Sequence, residues 1–514
     1  NMIELVHNRL RGESMMKIIK WNFAVLFLLG INSAHALNVD HLNQELKKFK
    51  ADPKVFMNSP DRTTKYDPET LKPIEVKPVF SPTEIESKDY IRHKDRIQKS
   101  SKANRLMERA IFQPNDRAED LTDQMKFQTL SQIESAGLTR SSLSTQPWSG
   151  DYWPIFLGGL ARRYLDPKFP NSEDWSVNMG YLSQNACSVN QSSPAQKYDL
   201  LVGDSSFSLT RAMMQEGQSY YSESGHVETW MGICHGWSPA AFMELRPVHT
   251  VTLLAADGRT KIDFYPSDIK ALLSLTWAKA PPTYRTIGGR CDVKSPPEDA
   301  NGRIQTPECF DTNPGTWHLA VVNQIGVSQR SFVMDATYDA EVWNQPVYRY
   351  EYQYFNPQLS QMVSSLDQAI VRREDFTQDK FSGYRAPNAA YFVGIAMQLV
   401  YIAETDANGE KTDSPQFDQK VAVNYFYDLE LDQNYNVIGG EWYQRAHPDF
   451  LWVPAAGSSP QSVGDQELDR PEYSGMRWDG RGPMPAAWTR AAIAASREGQ
   501  PLTRVVKTLN LLAQ

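Results

Sequence analysis

At Trp148 the chain changes character, and the order of patterns that follows restricts what it can fold into. From Leu37 to about Arg140 it is polar and charged, with Pro-containing extended stretches between Asp52 and Pro82. From WSGDYWPIFLGGLARRY (Trp148–Tyr164) to about Pro454 it is dense in aromatics. The first half of this body reads as helical, including Pro194–Leu201 and the segment around Cys234, and the second half reads as strands. Pro247–Leu254 and Lys261–Tyr265 alternate around Asp257-Gly258, a hairpin signal. Ser267-Asp268 is read as the N-cap of a helix carrying Ile269, Leu272, Leu273 and Leu275. Trp317–Gln324 and Ser331–Asp335 are expected to pair as antiparallel strands. Tyr391–Glu404 and Val421–Leu431 are expected to form two longer strands joined through Asp406-Ala407-Asn408-Gly409. Helices first and strands second within one body predict an α+β fold.

A chain of 514 residues exceeds the size at which a single core stops growing, so appendages are expected around the body. We divide it into residues 1–36, 37–140, 141–457 and 458–514. In the first segment, Lys17 and Lys20 precede the apolar run Trp21–Gly30, and Ala34-His35-Ala36 follows, the pattern of a signal peptide cleaved after Ala36. Met15 and Met16 stand directly before the basic residues, so the first fourteen residues are read as an upstream extension. Export to the periplasm or outside is therefore expected, and membrane insertion is not, because the apolar run is about half of the roughly 20 residues a spanning helix needs. The segment 37–140 carries helical patterns near His41–Lys50 and over Glu84–Phe112; it is read as a solvated arm or as a pro-segment over the active site. The tail turns helical at Pro485–Glu498 and Leu502–Leu512, either packed on the body or extended from it.

Composition narrows the partners. With 41% hydrophobic residues the chain can build a core, and a net charge of -8 offers no footprint for nucleic acid. The four cysteines are too few for a disulfide scaffold in a chain this long. Cys291 and Cys309 flank a loop rich in Pro, Gly and charge and are expected to form a disulfide, worth on the order of 3 kcal/mol in the chain-entropy account. A Cys187–Cys234 disulfide is the alternative for the other two. No metal or other cofactor is required by the residues. Asp432-x-Asn434-x-Asn436 has the opening of a calcium loop, but Val437 stands where Gly is needed and Tyr443 where the closing Glu belongs, so a strand turn is favoured.

The chemistry concentrates in WMGICHGWSPAAF (Trp230–Phe242). It reads as a Gly-bearing turn entering a helix with its Pro in the first turn, where Pro is tolerated. Cys234 then sits at a helix amino end, where the dipole and free N–H groups favour a thiolate. A nucleophilic Cys needs a base and a group that orients the base. His235 is expected to point away from the sulfur and to cap or pack locally. His318, in the first strand of the pair ending at Asp335, is the candidate base, and Asp335 the orienting carboxylate. Either could instead be a strand histidine and a turn cap.

Longer segments carry a resemblance. CHGWSPAA (Cys234–Ala241), FYPSDIKALL (Phe264–Leu273), TWHLAVVNQ (Thr316–Gln324) and MDATYDAEVWNQPV (Met334–Val347) resemble the transglutaminase elicitor family. So do WSGDYWP (Trp148–Pro154), SPAQKYD (Ser193–Asp199) and HPDFLW (His447–Trp452), and the likeness spans roughly residues 145–455. It implies protein-glutamine γ-glutamyltransferase activity on protein substrates with accessible Gln and on Lys or small amines. It also implies a fold related to papain-like cysteine proteases and places Cys234, His318 and Asp335 on the Cys-His-Asp order. A cysteine peptidase or glutamine deamidase would use the same three residues, and an inactive elicitor is the reading from another class. Trp230 is a candidate oxyanion donor; Trp237 and Trp317 are candidate water-excluding walls or core.

Overall fold

The computed structural model describes residues 38–58, 67–68, 117–289, 296–336 and 342–514. Its strands in chain order are β1 Arg140–Ser142, β2 Val251–Leu254, β3 Lys261–Phe264, β4 Tyr284–Gly288, β5 Val333–Asp335 and β6 Asn344–Asn356. They continue with β7 Gln361–Val363, β8 Val371–Arg372, β9 Tyr391–Ala403, β10 Gln419–Leu431, β11 Val437–Trp442 and β12 Phe450–Pro454. β2 and β3 form the expected separate hairpin. The rest form one sheet in the order β11-β10-β9-β6-β5-β12-β4, with β1 and β7 on β6 and β8 on β9. Its pairings are antiparallel. The chain thus mixes helices and antiparallel sheet as the patterning predicted.

The long central strands explain themselves by the two-residue period of a strand. In β9, Val393, Ile395, Met397, Leu399 and Tyr401 enter the core beneath the helix Pro314–Val321, whereas Ala396 enters a second core on the opposite face. Tyr425, Tyr427 and Leu429 of β10 follow the first group, and Phe426 follows the second. That second core is completed by Leu42, Leu46, Phe49, Phe56 and Met57 of two amino-terminal helices, Val39–Ala51 and Pro53–Met57. Both faces are thus covered, which is why these strands read as nearly continuous apolar runs. The helix expected near His41–Lys50 is present and packed on the sheet; the Glu84–Phe112 pattern and the signal segment lie outside the described residues.

Two expectations fail for identifiable reasons, and one strand was not anticipated. Trp317–Gln324 is helical: an α-helix spans Pro314–Val321 and passes into a π-helical turn over Val322–Val327. Every residue of that α-helix is buried, and a short run buried on all sides has no period to distinguish helix from strand. The local signal was Asn313-Pro314, whose Asn side chain accepts from Gly315 N at 2.9 Å and whose Pro occupies the first turn. The helix expected to be capped by Ser267-Asp268 instead starts at Pro266, with Tyr265 as N-cap and Asp268 in the third position, accepting from Tyr265 N at 2.8 Å. The central strand β6 was not anticipated; its first four residues, Asn344–Val347, close the motif segment Met334–Val347.

The tail packs on the body. Trp488, Ala491, Ala492, Val505, Val506 and Leu509 of helices Ala486–Arg497 and Thr503–Leu512 share one core with Trp237 of the Cys234 helix and Trp277 of the helix Pro266–Lys279.

Candidate active site

Cys234 is the first residue of the helix Cys234–Met243, with Ile233 as N-cap. The entering turn is pinned by Ile233 N donating to Tyr152 O at 2.7 Å. Gly232 lies so close to that carbonyl that a Cβ there would sit 2.4 Å from the oxygen. Gly236, one turn on, lets the helix approach Pro266–Lys279, because a Cβ would sit 2.2 Å from Ser274 O. Pro239 falls inside this helix rather than in its first turn. Its missing N–H releases the carbonyl of His235, an exposed residue where water can replace the lost bond.

Cys234 is buried, at 6% exposure, and its sulfur has named neighbours. Cys234 Sγ donates to Val342 O at 3.7 Å, and Asn344 Nδ2 donates to the sulfur at 3.6 Å. Trp452 Nε1 donates to Asn344 Oδ1 at 2.8 Å, which turns the amide so that its NH2 end faces the sulfur. Asn344 opens β6 and pairs in register with Asp335, the last residue of β5. Asp335 accepts from Trp343 N at 3.0 Å. Burial pushes the Cys234 thiol up to about 11; the N–H and amide of Asn344 oppose that push, and the charges of Glu404 and Asp335 add to it. Glu404 is itself held by Gln345 Nε2 at 2.8 and 2.9 Å. The Tyr152 ring lies 5.3 Å from that of Trp343.

His318 lies elsewhere in its surroundings. On its helix it is fully buried, its Nδ1 is 2.9 Å from Tyr427 Oη, and its ring meets Tyr352 edge-on at 4.8 Å. Burial holds its imidazolium down at about 3, and Nε2 has no hydrogen-bond partner among the described residues. No hydrogen bond joins His318 to Cys234 or to Asp335. The structure therefore gathers Cys234 and Asp335 about Asn344 and sets His318 in the layer between its helix and β6 and β10. Asp311, in the segment leading to that helix, is raised well above the carboxylate range by burial and by the charge of Asp335.

The remaining expected residues divide. Trp230 Nε1 is buried and without a hydrogen-bond partner among the described residues. Trp237 is fully buried and donates to Trp148 O at 3.3 Å; Trp317 is fully buried against Phe332, Tyr425 and Trp442. Both are core, which is the reading their burial dictates. Cys187 and Cys234 are free thiols, which overturns the Cys187–Cys234 alternative. Cys309 is disulfide-bonded; Cys291 lies outside the described residues. Asp432 accepts from Asn434 N and Asn436 N at 2.8 and 2.9 Å, so its carboxylate closes the turn between β10 and β11. Sequence reasoning missed Asn344, Gln345, Glu404 and Trp452. The available signal was an Asn-Gln pair placed between an aromatic and the strand that follows.

A family model for the transglutaminase elicitor matches residues 120–474. The chain belongs to the transglutaminase elicitor family. No curated protein matches the chain. Among solved structures, the crystal structure of the GP42 transglutaminase from Phytophthora sojae matches at 25% identity and a TM-score of 0.48, covering 65% of this chain and 88% of that one. Within this chain the separate motif segments meet one another. Lys197 of SPAQKYD pairs with Asp268 of FYPSDIKALL at 2.6 Å, both fully buried. WSGDYWP supplies the Tyr152 carbonyl to the turn before Cys234, and HPDFLW supplies Trp452 to Asn344.

Proposed function

We propose that this chain is a protein-glutamine γ-glutamyltransferase that works through a thioester on Cys234. The observation that carries the reading is a cysteine at the first position of a helix whose sulfur is met by an amide donor and neighboured by a carboxylate. The thiolate attacks the side-chain carboxamide of a protein glutamine, ammonia leaves with the proton the thiol gave up, and a thioester remains. A lysine or small amine then attacks the thioester and forms an isopeptide; water in its place gives deamidation. His318 is kept as the proton carrier and Asp335 as the orienting carboxylate, in the order the family resemblance implies. What supports His318 is its buried, unpartnered Nε2; the role requires a rearrangement that carries that nitrogen to the sulfur. The chain is proposed to act after export, and no helix among the described residues is long and apolar enough to cross a membrane.

A second reading, an elicitor that binds without catalysis, is favoured by the thiol held up at about 11 and by the separate setting of His318. Intact-mass measurement after mixing with a glutamine peptide separates the two. Addition of the peptide mass less ammonia, located on Cys234 by digestion, supports the transferase; a chain without adduct together with a peptide that is not deamidated favours binding.

A further inference from the structure

Cys234 starts as a neutral thiol whose proton faces the carbonyl of Val342 at 3.7 Å. Once the proton leaves, that carbonyl faces a negative sulfur and no longer accepts anything from it. A buried thiolate then needs donors, because an unpaired charge out of water is costly. The group already in place is Asn344, whose Nδ2 lies 3.6 Å from the sulfur. Its orientation is determined by chemistry. Trp452 Nε1 is a donor only and lies 2.8 Å from Oδ1, so the oxygen end must face the indole and the NH2 end the sulfur. Asn344 is 5% exposed and Trp452 4%, so both sides of this relay are shielded from competing water. Asn344 is also tied by strand pairing to Asp335 and Trp452 lies on β12, so sheet backbone positions both residues.

We propose that Asn344 is a catalytic residue that donates its side-chain amide to the Cys234 thiolate, and that Trp452 is the positioning residue that holds the amide in the donating orientation. The proposal rests on Cys234 as the reacting group. The balance of the step is simple. The S–H bond breaks, the proton goes to the enzyme's base, and the electron pair left on sulfur accepts the Asn344 N–H until it forms the C–S bond. Burial raises the thiol, and Asn344 is what opposes it. A hydrogen bond to a charged group is worth enough to move an ionisation by about one to two pH units.

The test is the pH profile of iodoacetamide alkylation at Cys234, read by mass spectrometry on the full chain, together with kcat and KM for amine incorporation. Asn344→Asp keeps the shape and removes the donors; Asn344→Ser shortens the side chain so that it cannot span to the sulfur; Trp452→Phe removes only the indole N–H. Expected is an alkylation midpoint displaced upward by about one to two pH units in the Asn344 variants and by less in Trp452→Phe. With it, kcat should fall by about 10–100-fold and KM should stay nearly constant. An unshifted midpoint in a folded Asn344→Ser or Trp452→Phe chain overturns the proposal, and a purely structural role would lower Tm without moving the midpoint. Because alkylation needs no transferase activity, an inactive wild-type chain removes the functional reading, and the midpoint still decides on Asn344.

Discussion

Cys234 is placed for reaction but is not a resting thiolate. Its thiol is pushed up to about 11, so alkylation of the native chain should rise toward that pH, whereas the unfolded chain should react with a midpoint near 8.5. A native midpoint below 8 would mean that a cation reaches the sulfur in solution. His318 gives a second prediction. As the proton carrier its replacement in His318→Gln should lower kcat by about 10²–10⁴-fold; intact kcat with a lowered Tm would make it a core histidine bonded to Tyr427. The same variant has a pH signature. The His318 imidazole has its proton affinity reduced to about 3 by burial, so below pH 6.5 the unfolded chain binds a proton that the native chain refuses. That contribution is complete above pH 6.5 and is lost as pH falls toward 3. His318→Gln should therefore gain on the wild type, by urea midpoint, as pH is lowered from 7 to 4. Lys197 and Asp268 form a fully buried pair, and Lys197→Met should cost about 3–5 kcal/mol by chemical denaturation because Asp268 is left without its cation. At this scale the sequence was informative for Cys234, whose turn, helix start and aromatic setting are local. It was silent on Asn344 and Trp452, because a contact between residues so far apart exists only once β5, β6 and β12 are side by side.

Among elements, legibility followed periodicity. β2 and β3 were legible through alternation around Asp257-Gly258, and β9 and β10 through their long apolar runs. The helix Pro314–Val321 was misread because burial on all sides erases the period that separates 3.6 from 2. That same burial makes it an anchor. Trp317 is fully enclosed between its helix and Tyr425, Trp442 and Phe332, so Trp317→Ala should cost about 3–5 kcal/mol in a denaturant titration. A cost below about 1 kcal/mol would mean that the layer between this helix and the sheet collapses around the missing ring. The Cys234 helix packs against β6, and the close approaches of Gly232 to Tyr152 and of Gly236 to the helix Pro266–Lys279 fix its place beside those segments.

Over the whole molecule, the α+β ordering was readable because the helical half precedes the strand half along the chain. The closure of both sheet faces was not, since it depends on segments from opposite ends. Residues 38–58 cover one face through Leu42, Leu46, Phe49, Phe56 and Met57, and the tail helices complete the core behind Cys234. Cleaving the chain between residues 58 and 117 should therefore leave the 38–58 segment bound through gel filtration; its release would favour the pro-segment reading. The central claim is the thioester on Cys234. It is tested most directly by incorporation of a fluorescent primary amine into casein by the full chain and by Cys234→Ala. The account predicts labelling by the wild type and none by the variant; equal labelling by both, or none by either after limited proteolysis of the amino-terminal region, would contradict it.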